Sequence, residues 1–203
     1  MTIAAIILAA GRSSRFEGGN KLLADYRGGP LIHAVMATVS AAKVDEIVFV
    51  ISPDGQDVAV AAGVGRWHTV VNPDAVRGLS TSLQAGLAAL SLDVEGALVV
   101  LADMPGISAD LLTSLVEAFD AYGRAAIVYP RDAAGRQGNP VLWPRGLFPE
   151  LMKLSGDQGG KKCLETHVSR SHAVTVGGPG AFVDIDTRAD LERLRDSQAG
   201  QRA

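Results

Sequence analysis

The stretch Ile3–Phe16 reads I-A-A-I-I-L-A-A-G-R-S-S-R-F. Its first part, Ile3–Ala9, is a continuous apolar run, which predicts a strand buried on both faces of a parallel sheet. Its second part, Leu8–Phe16, leaves this strand with one glycine, two serines and two arginines, and fits neither G-x-G-x-x-G nor G-x-x-x-x-G-K-[ST]. Ligands of open α/β sheets collect at the carboxyl ends of strands. The stretch therefore predicts an anion-binding loop of a less common kind at that edge.

Segments with strand-like and helix-like patterns alternate along the rest of the chain. The predicted strands are Ile3–Ala9, Glu46–Ser52, Thr69–Val71, Gly96–Ala102, Ala125–Tyr129, Pro140–Trp143, Ala173–Val176 and Phe182–Ile185. The predicted helices are Leu31–Ala42, Gln56–Gly63, Ser80–Leu90, Ser108–Tyr122, Phe148–Leu154, Gly160–His167 and Ala189–Arg195, with the last residues, 197–203, frayed. This rhythm predicts an α/β, three-layer, Rossmann-like domain with a mostly parallel, mixed central sheet. Since no repeat or linker interrupts it, we expect residues 1–203 to form a single domain.

Composition and charge exclude several classes of function. The chain has 203 residues, 47% of them hydrophobic, and a net charge of -3. Duplex nucleic acid is disfavoured as a partner, because its binding rests on many contacts from Lys and Arg to phosphates. Cys163 is the single cysteine, so we expect a small buried residue on a helix and no internal disulfide. The apolar run Ile3–Ala10 is too short for a signal peptide or a membrane span, so we expect a cytoplasmic protein with no membrane partner.

The loop itself has two physical interpretations. Gly11 permits a tight turn, the two preceding alanines leave room for a ligand, and the serine hydroxyls and loop amides suit an anion. The cationic residues Arg12, Arg15 and Lys21 lie within ten positions, enough to meet a triphosphate. Alternatively, the loop simply turns the chain from strand to helix and its cations point into solvent.

Two aspartates follow predicted strands and are candidate metal ligands. Asp103 comes just after the strand Gly96–Ala102, and Asp186 comes at the end of Phe182–Ile185. Carboxylates at this edge are suited to Mg²⁺, which prefers oxygen ligands and commonly bridges substrate phosphates. The alternative for each is to cap the following helix, although Ser108 is the better cap of the first and Thr187 a candidate for the second.

The segment Asn72–Leu83, N-P-D-A-V-R-G-L-S-T-S-L, joins the third predicted strand to a helix. Its short polar side chains are suited to reading the edge of a base. A second interpretation is equally simple, since Asn-Pro turns the chain and Ser80 or Thr81 caps the helix. The residues alone do not choose between these interpretations.

Several motifs together carry a family resemblance. Leu8–Phe16 followed by N-K-L-L resembles the L-A-A-G-x-x-x-R-[MF]-G-x-x-K signature of nucleotidyltransferases with a glycosyltransferase-A-like fold. With the segment Asn72–Leu83, the motifs L-A-D-M-P, G-N-P-V-L-W, L-S-G-D-Q-G-G-K-K-C-L and V-D-I-D-T-R-A-D-L resemble the molybdenum cofactor cytidylyltransferase family. Ala10 stands where guanylyltransferase relatives more often carry glycine, so the resemblance favours cytidine. Asn139 and Glu17 depart from the family, which commonly has histidine and glycine there.

The resemblance implies transfer of CMP from CTP to the phosphate of molybdopterin or the molybdenum cofactor, with release of pyrophosphate. It implies a nucleotide-diphospho-sugar transferase-like fold, with Mg²⁺ as cofactor bound to Asp103 and Asp186. Arg15, Lys21 and Asp103 are then catalytic: Arg15 faces the leaving phosphates and Lys21 the α-phosphate. The expected partners are the two substrates and a molybdoenzyme or its chaperone.

The expected binding residues follow from the same motifs. Those for the nucleotide are Leu8, Ala9, Ala10, Gly11, Arg12, Ser13, Ser14, Arg15, Lys21, Asn72, Asp74, Gly78, Ser80 and Ser82. Those for the acceptor are Asn139 and Asp157, with Arg131, Arg136, Lys161 and Lys162 in the bordering loops. The histidines, His33, His68, His167 and His172, lie outside these motifs and are expected to be structural or exposed.

Other functions stay open. The same fold serves transferases for another nucleotide, such as GTP, or another acceptor, such as a sugar or polyol phosphate. A chaperone that binds molybdenum cofactor without turnover is a candidate of a different class. An NAD-dependent dehydrogenase is disfavoured because the glycine fingerprint is absent.

Overall fold

Nine strands form two sheets in the computed structural model, which describes residues 2–157, 160–178 and 180–199. They are β1 (Thr2–Leu8), β2 (Asp25–Tyr26), β3 (Gly29–Pro30), β4 (Glu46–Ile51), β5 (His68–Val71), β6 (Val94–Leu101), β7 (Ile127–Arg131), β8 (Val141–Pro144) and β9 (Ser171–Thr175). β2 and β3 form a small antiparallel pair, and the others form one sheet in the order β5-β4-β1-β6-β8-β7-β9. In the seven-stranded sheet, β8 runs antiparallel to β6 and β7, whereas all other neighbouring strands are parallel. The predicted mostly parallel, mixed sheet is confirmed.

Helices cover both faces of this sheet. They are α1 (Leu31–Ala41), α2 (Gln56–Ala62), α3 (Leu79–Ala88), α4 (Ala109–Ala121), α5 (Phe148–Leu151), α6 (Lys161–Thr166) and α7 (Arg188–Ala199). One face packs against α1, α2, α4 and α7, and the other against α3, α5 and α6. Among the described residues, no helix is long and apolar enough to cross a lipid bilayer.

Strand β1 lies at the centre of the sheet, between β4 and β6, and explains the apolar run that begins the chain. Side chains alternate across a strand, so Ile7 joins the core cluster on the α1 face, whereas Ile6 joins the one on the α3 face. Both isoleucines are fully buried. The end of β1 is thereby fixed in the middle of the carboxyl edge, and residues 9–16 start from there.

Several predicted elements differ from the structure. The strand predicted at Phe182–Ile185 is wrong: the segment is irregular, and Ile185 donates one backbone hydrogen bond of 2.9 Å to the Asp103 carbonyl instead of joining a ladder. Its alternating pattern reflects a buried Ile185 between two aspartates at the site. Helix α5 ends at Leu151 rather than at residue 154, and α7 continues to Ala199. Residues 200–203 of the predicted frayed end lie outside the described residues.

The predicted cap of α3 is also wrong. The helix begins at Leu79, so neither Ser80 nor Thr81 can cap it. Asp157, which is distant in sequence, accepts a hydrogen bond of 3.1 Å from the Leu79 amide through Oδ1. The first turn of α3 is therefore capped by a residue distant in sequence, which a local sequence pattern cannot predict.

Candidate functional site

A cleft of about 280 Å³ opens at the carboxyl ends of β1 and β6. It is lined by Leu8, Ala9, Gly11, Arg12, Ser13, Ser14, Arg15, Lys21, Leu22, Ala102, Asp103, Asp184 and Asp186. The structure thus brings together most of the predicted loop with both predicted metal ligands. Ala10 is buried behind it, with 5% of its surface exposed, and does not line the cleft.

Lys21 lies between the two aspartates. Its Nζ is 2.6 Å from Oδ2 of Asp103 and 3.1 Å from Oδ1 of Asp186. Arg15 approaches Asp186 from the solvent side, with NH1 2.8 Å from Oδ2. Lys21 is buried, whereas the Arg15 side chain is 73% exposed. The cleft therefore has one buried cation, Lys21, at its base and two exposed cations, Arg12 and Arg15, at its rim.

Neither aspartate caps a helix. Ser108 caps α4, because its Oγ accepts a hydrogen bond of 3.2 Å from the Leu111 amide. At the start of α7, Thr187 and Asp190 each accept a bond from the other's backbone amide, the reciprocal pattern of a capping box. The capping alternative is thus removed for Asp103 and Asp186.

Burial changes the titration of the two groups at the cleft floor. Burial raises the pKa of Asp103, since desolvation disfavours the carboxylate, and Asp184 adds repulsion against the attraction of Lys21. For Lys21, burial lowers the pKa, but the attraction and hydrogen bonds of Asp103 and Asp186 outweigh it, so the pKa of the ammonium is raised. Lys21 is therefore charged throughout the physiological range.

The glycine-poor loop keeps its shape through side chains. Ser13 Oγ donates to Asn20 Oδ1 and accepts from the Lys21 amide, each at 3.2 Å. Phe16 is buried in the core below, and Arg188 at the start of α7 donates a bond of 2.8 Å to the carbonyl of Glu17. These contacts close the loop on itself and place Lys21 under its centre.

The donor set at the cleft floor fits a hard divalent cation. Asp103 and Asp186 offer carboxylate oxygens, the ligands that Mg²⁺ and Mn²⁺ prefer. Oδ1 of Asp103 is buried and has no hydrogen-bond partner among the described residues. A buried carboxylate oxygen left unpaired is costly, and a bound cation would remove that cost. Asp184 is exposed at the same cleft and adds a third carboxylate.

A second cleft of about 390 Å³ lies beside the first, and Leu8 lines both. Its apolar wall is made by Leu8, Leu79, Leu83, Val99, Leu101, Val141 and Trp143. Asn139 and Asp157, the predicted acceptor residues, lie on its lining together with Arg136 and Lys161. The guanidinium of Arg136 stacks over the Phe182 ring at 4.8 Å. This cleft combines a flat apolar wall with cations.

Part of the segment Asn72–Leu83, which was expected to read the edge of a base, lies outside the first cleft. Asn72, Asp74 and Ser80 line a third cleft of about 370 Å³ between α3 and residues 152–156, and not the first cleft. The Asn72 amide donates to Thr81 and Ser82 at 2.9 and 3.0 Å, and its Oδ1 accepts from the Asp74 amide. As positioned, these polar groups hold the turn before α3.

Gly78 of the same segment is required by geometry. Its φ is +113°, and a Cβ atom there would lie 2.6 Å from the Gly156 carbonyl carbon and 2.7 Å from Asp157 Oδ1. The glycine therefore allows residues 156–157 to approach the start of α3.

A family model described as MobA-like NTP transferase domain matches residues 5–173. The chain belongs to this family. A MobA-like transferase is a nucleotidyltransferase enzyme, so the resemblance based on the loop and its partner motifs is confirmed at this level.

Two relatives are similar in sequence to this chain over almost its whole length. Nicotine blue oxidoreductase of Paenarthrobacter nicotinovorans is 28% identical over 198 residues, covering 95% of this chain and 96% of the relative. Purine catabolism protein PucB of Bacillus subtilis (strain 168) is 27% identical over 203 residues, covering 94% of each.

Solved structures show the same fold. Rv0371c of Mycobacterium tuberculosis H37Rv superposes with a TM-score of 0.85 at 27% identity, covering 97% of this chain and 98% of that one. A second structure of the same protein, in complex with manganese, has a TM-score of 0.83 at 27% identity, covering 97% of this chain and 100% of that one. That mycobacterial protein of similar structure thus binds manganese.

Sequence reasoning missed three residues of this MobA-like transferase. Asp184 shares the cleft, and its alternation with Asp186 was the available signal. Trp143 forms part of the second cleft, and its alternation with Val141 on β8 indicated a shared face. Arg188 supports the loop from 171 residues away; it lies within the V-D-I-D-T-R-A-D-L motif, but nothing in that motif indicates a contact with Glu17.

Proposed function

We propose that this protein transfers CMP from CTP to the phosphate of molybdopterin or its molybdenum form, releasing pyrophosphate. The observation that carries the proposal is the convergence of Arg15, Lys21, Asp103 and Asp186 on one cleft. A second cleft with an apolar wall and cationic groups adjoins it at Leu8. We further propose that residues 1–203 form one domain and that the protein acts in the cytoplasm.

The two clefts suit the two substrates. The first has the charges that a triphosphate requires, with Arg12 and Arg15 exposed at its rim and the loop amides beside them. The second has Trp143 and several leucines for a flat heterocycle, with Arg136 and Lys161 for its phosphate. Because the clefts adjoin, an acceptor phosphate in one is directed at the α-phosphorus held in the other. Positioning of this kind supplies much of the catalysis in phosphoryl and nucleotidyl transfer.

The side chains of the first cleft have separate roles in the proposal. Arg15 leaves Asp186 to pair with the departing phosphates, which its exposure allows. Lys21 neutralises the charge that builds on the α-phosphate in the transition state. An acceptor phosphate is already ionised near neutral pH, so no general base is required, in agreement with the absence of histidine from the cleft lining described above.

Asp103 and Asp186 would hold Mg²⁺ in this proposal. The cation would supply electrostatic stabilisation of charge on the phosphate oxygens. If the two carboxylates held such an ion, the Lys21 ammonium would be available to a phosphate group. Support for a divalent metal comes from the unpaired Asp103 oxygen and from the manganese complex of the mycobacterial relative.

The decisive experiment measures pyrophosphate release. The protein is incubated with Mg²⁺, molybdopterin or its molybdenum form, and each of the four nucleoside triphosphates in turn. We expect release with CTP, dependent on acceptor and metal. Release with GTP instead, or only with a sugar or polyol phosphate as acceptor, would assign another transferase activity. Tight binding of the cofactor with no release under any nucleotide would identify a chaperone.

One relative carries the name of an oxidoreductase, which makes a redox assay a useful control. The loop of this chain lacks the glycine pattern with which dinucleotide folds hold NAD. We therefore expect no oxidation of NADH or NADPH by the protein. Turnover of either would redirect the proposal toward the activity in that name.

A further inference from the structure

Three side chains with metal-binding atoms meet on the α5–α6 side of the sheet. Glu150 belongs to α5, and Cys163 and His167 lie on and directly after α6. Their ligand atoms all lie within 4.8 Å of one another. None of these residues lines any of the three clefts described above. We call these residues the thiol–imidazole cluster.

The cluster has the geometry of a chelating set. Cys163 and His167 are four positions apart, so they project from the same side of α6. His167 Nε2 is 2.8 Å from Oε2 of Glu150, and Cys163 Sγ is 4.0 Å from the same oxygen. Ligand atoms around one tetrahedral Zn²⁺ lie roughly 3.3–3.8 Å apart, given bonds of about 2.0–2.3 Å. Small side-chain rotations suffice to reach that arrangement.

We propose that the thiol–imidazole cluster is a binding site for a borderline divalent cation of the Zn²⁺ type. One thiolate, one imidazole and one carboxylate would supply three ligands, leaving a fourth position for water. Binding would release the Cys163 proton to solvent, and the imidazole would bind in its neutral form. Sulfur and nitrogen ligands select Zn²⁺ over Mg²⁺, so this site differs in chemistry from the all-oxygen set of the first cleft.

The surroundings of the sulfur keep Cys163 protonated in the absence of a cation. Cys163 is 6% exposed, and burial raises the pKa of its thiol, with the Glu150 carboxylate raising it further. A thiolate beside a carboxylate is unfavourable unless a cation joins them. Nε2 of His167 contacts the same Glu150 carboxylate, and the His167 side chain is 18% exposed, so an ion reaches it from solvent.

A cation at the cluster would act on the second cleft. It would tie α5 to α6, and the segment that begins α6, with Gly160 and Lys161, lines that cleft. Gly160 packs so closely on Trp143 that a Cβ atom would lie 2.3 Å from the indole ring. Fixing α6 would therefore fix the position of Lys161 relative to the apolar wall. The site is structural and sets the shape of the second cleft.

Cobalt absorption tests this site directly. The full-length protein is stripped with a chelator and titrated with Co²⁺, whose bond to a thiolate gives a charge-transfer band that oxygen ligands do not give. We expect this band to saturate at one Co²⁺ per chain and to disappear on addition of Zn²⁺ but not of Mg²⁺. No thiolate band at saturating Co²⁺ would overturn the proposal.

Variants separate the cluster from other sites on the chain. Cys163→Ser should abolish the band, and His167→Gln should weaken Co²⁺ binding by at least roughly tenfold. His172→Gln is the matched control, since His172 stacks on Tyr122 with ring centroids 4.1 Å apart and should leave both quantities unchanged. Asp103→Asn should also leave the band unchanged. A band that persists in Cys163→Ser, or unchanged affinity in His167→Gln, with circular dichroism like that of the wild type, would refute the assignment.

Discussion

The positive charge of Lys21 has two roles at this site. It has the two carboxylates that are suited to a metal as its partners, and it is the most buried cation of the cleft. Its ammonium offsets part of the negative charge of Asp103 and Asp186, and Arg15 adds a second positive charge beside Asp186. The same charge serves catalysis once those carboxylates have another partner.

Replacing either central residue should remove activity and keep the fold. We expect Asp103→Ala and Lys21→Ala each to lower kcat by on the order of a hundredfold to a thousandfold. Lys21→Ala removes a positive charge that stabilises the transition state, and Asp103→Ala removes a carboxylate that would hold the cation. Steady-state release of pyrophosphate measures this. Asp57→Ala and Lys43→Ala are matched controls, because both residues are exposed and outside the cleft lining. Near wild-type turnover in Asp103→Ala or Lys21→Ala would remove that residue from the catalytic set.

The raised pKa of Lys21 implies that this residue stabilises the folded protein in a pH-dependent way. In metal-free protein, Lys21→Met should lower the free energy of unfolding by about 1.5–3 kcal/mol at neutral pH, the range for hydrogen bonds between charged groups. The stabilisation by Lys21 is fully present below its ordinary pKa of 10.5 and is lost as pH rises through the raised value. The difference between wild type and variant should therefore shrink at strongly alkaline pH. Urea unfolding at a series of pH values measures it, and a constant difference would contradict the ion pair.

At the scale of elements, contacts with residues distant in sequence determine where α3 begins and how closely it packs on the sheet. Its first amide is capped by Asp157, its N-terminal glycine admits residues 156–157, and Gly86 lets it press against β1. A Cβ atom on Gly86 would lie 2.4 Å from Cγ2 of Ile6. This close approach aligns the start of α3 with the second cleft, which Leu79 and Leu83 line.

Gly86→Ala should destabilise the protein although alanine is the better helix former. The gain in helix propensity is about 1 kcal/mol, whereas overpacking a filled core costs about 1–3 kcal/mol or more. Because the neighbour is a fully buried isoleucine, we expect a net loss of about 1–2 kcal/mol in chemical unfolding. Gly146→Ala is the control, since its Cβ would meet no other described atom within 4 Å. Equal or greater stability of Gly86→Ala would show that α3 can move away from the sheet.

At the scale of the whole molecule, the first cleft, which is proposed to hold both the triphosphate and the metal, predicts that nucleotide and metal stabilise the fold together. A ligand at a hundred times its Kd adds about 2.7 kcal/mol, which for a chain of this size is roughly 5–10 °C in Tm. We expect CTP with Mg²⁺ to give this shift, CTP with a chelator much less, and GTP with Mg²⁺ less than CTP. Differential scanning fluorimetry measures the shifts.

Asp103→Asn provides the control for this linkage. The variant should lose the part of the shift that depends on Mg²⁺, when each shift is measured from the variant's own Tm without ligand, because the substitution also weakens the pairing with Lys21. The same shift with and without Mg²⁺ in the wild type would separate nucleotide binding from the carboxylates, contrary to the proposal.

Local patterns predicted those parts of the fold that depend on neighbours in sequence. The run Ile3–Ala9 became the central strand, Ser108 became the cap of α4, and Asp103 came just beyond a buried strand. The pattern failed at Phe182–Ile185, because alternation does not reveal whether a sheet edge is available. It also failed at the start of α3, where the cap is 78 positions away.

The sequence by itself determined the α/β fold, the loop at the end of β1 and the chemical types of the groups in the first cleft. Hydrophobic periodicity and strand ends are local properties, and they suffice for that. Only the tertiary structure decided that Lys21 sits between Asp103 and Asp186, that Arg188 holds the loop, and that Asn72 is turned inward. It also decided that Glu150, Cys163 and His167 meet. These outcomes depend on contacts between distant residues, which exist only after the helices have packed on the sheet and the polar groups have competed for partners.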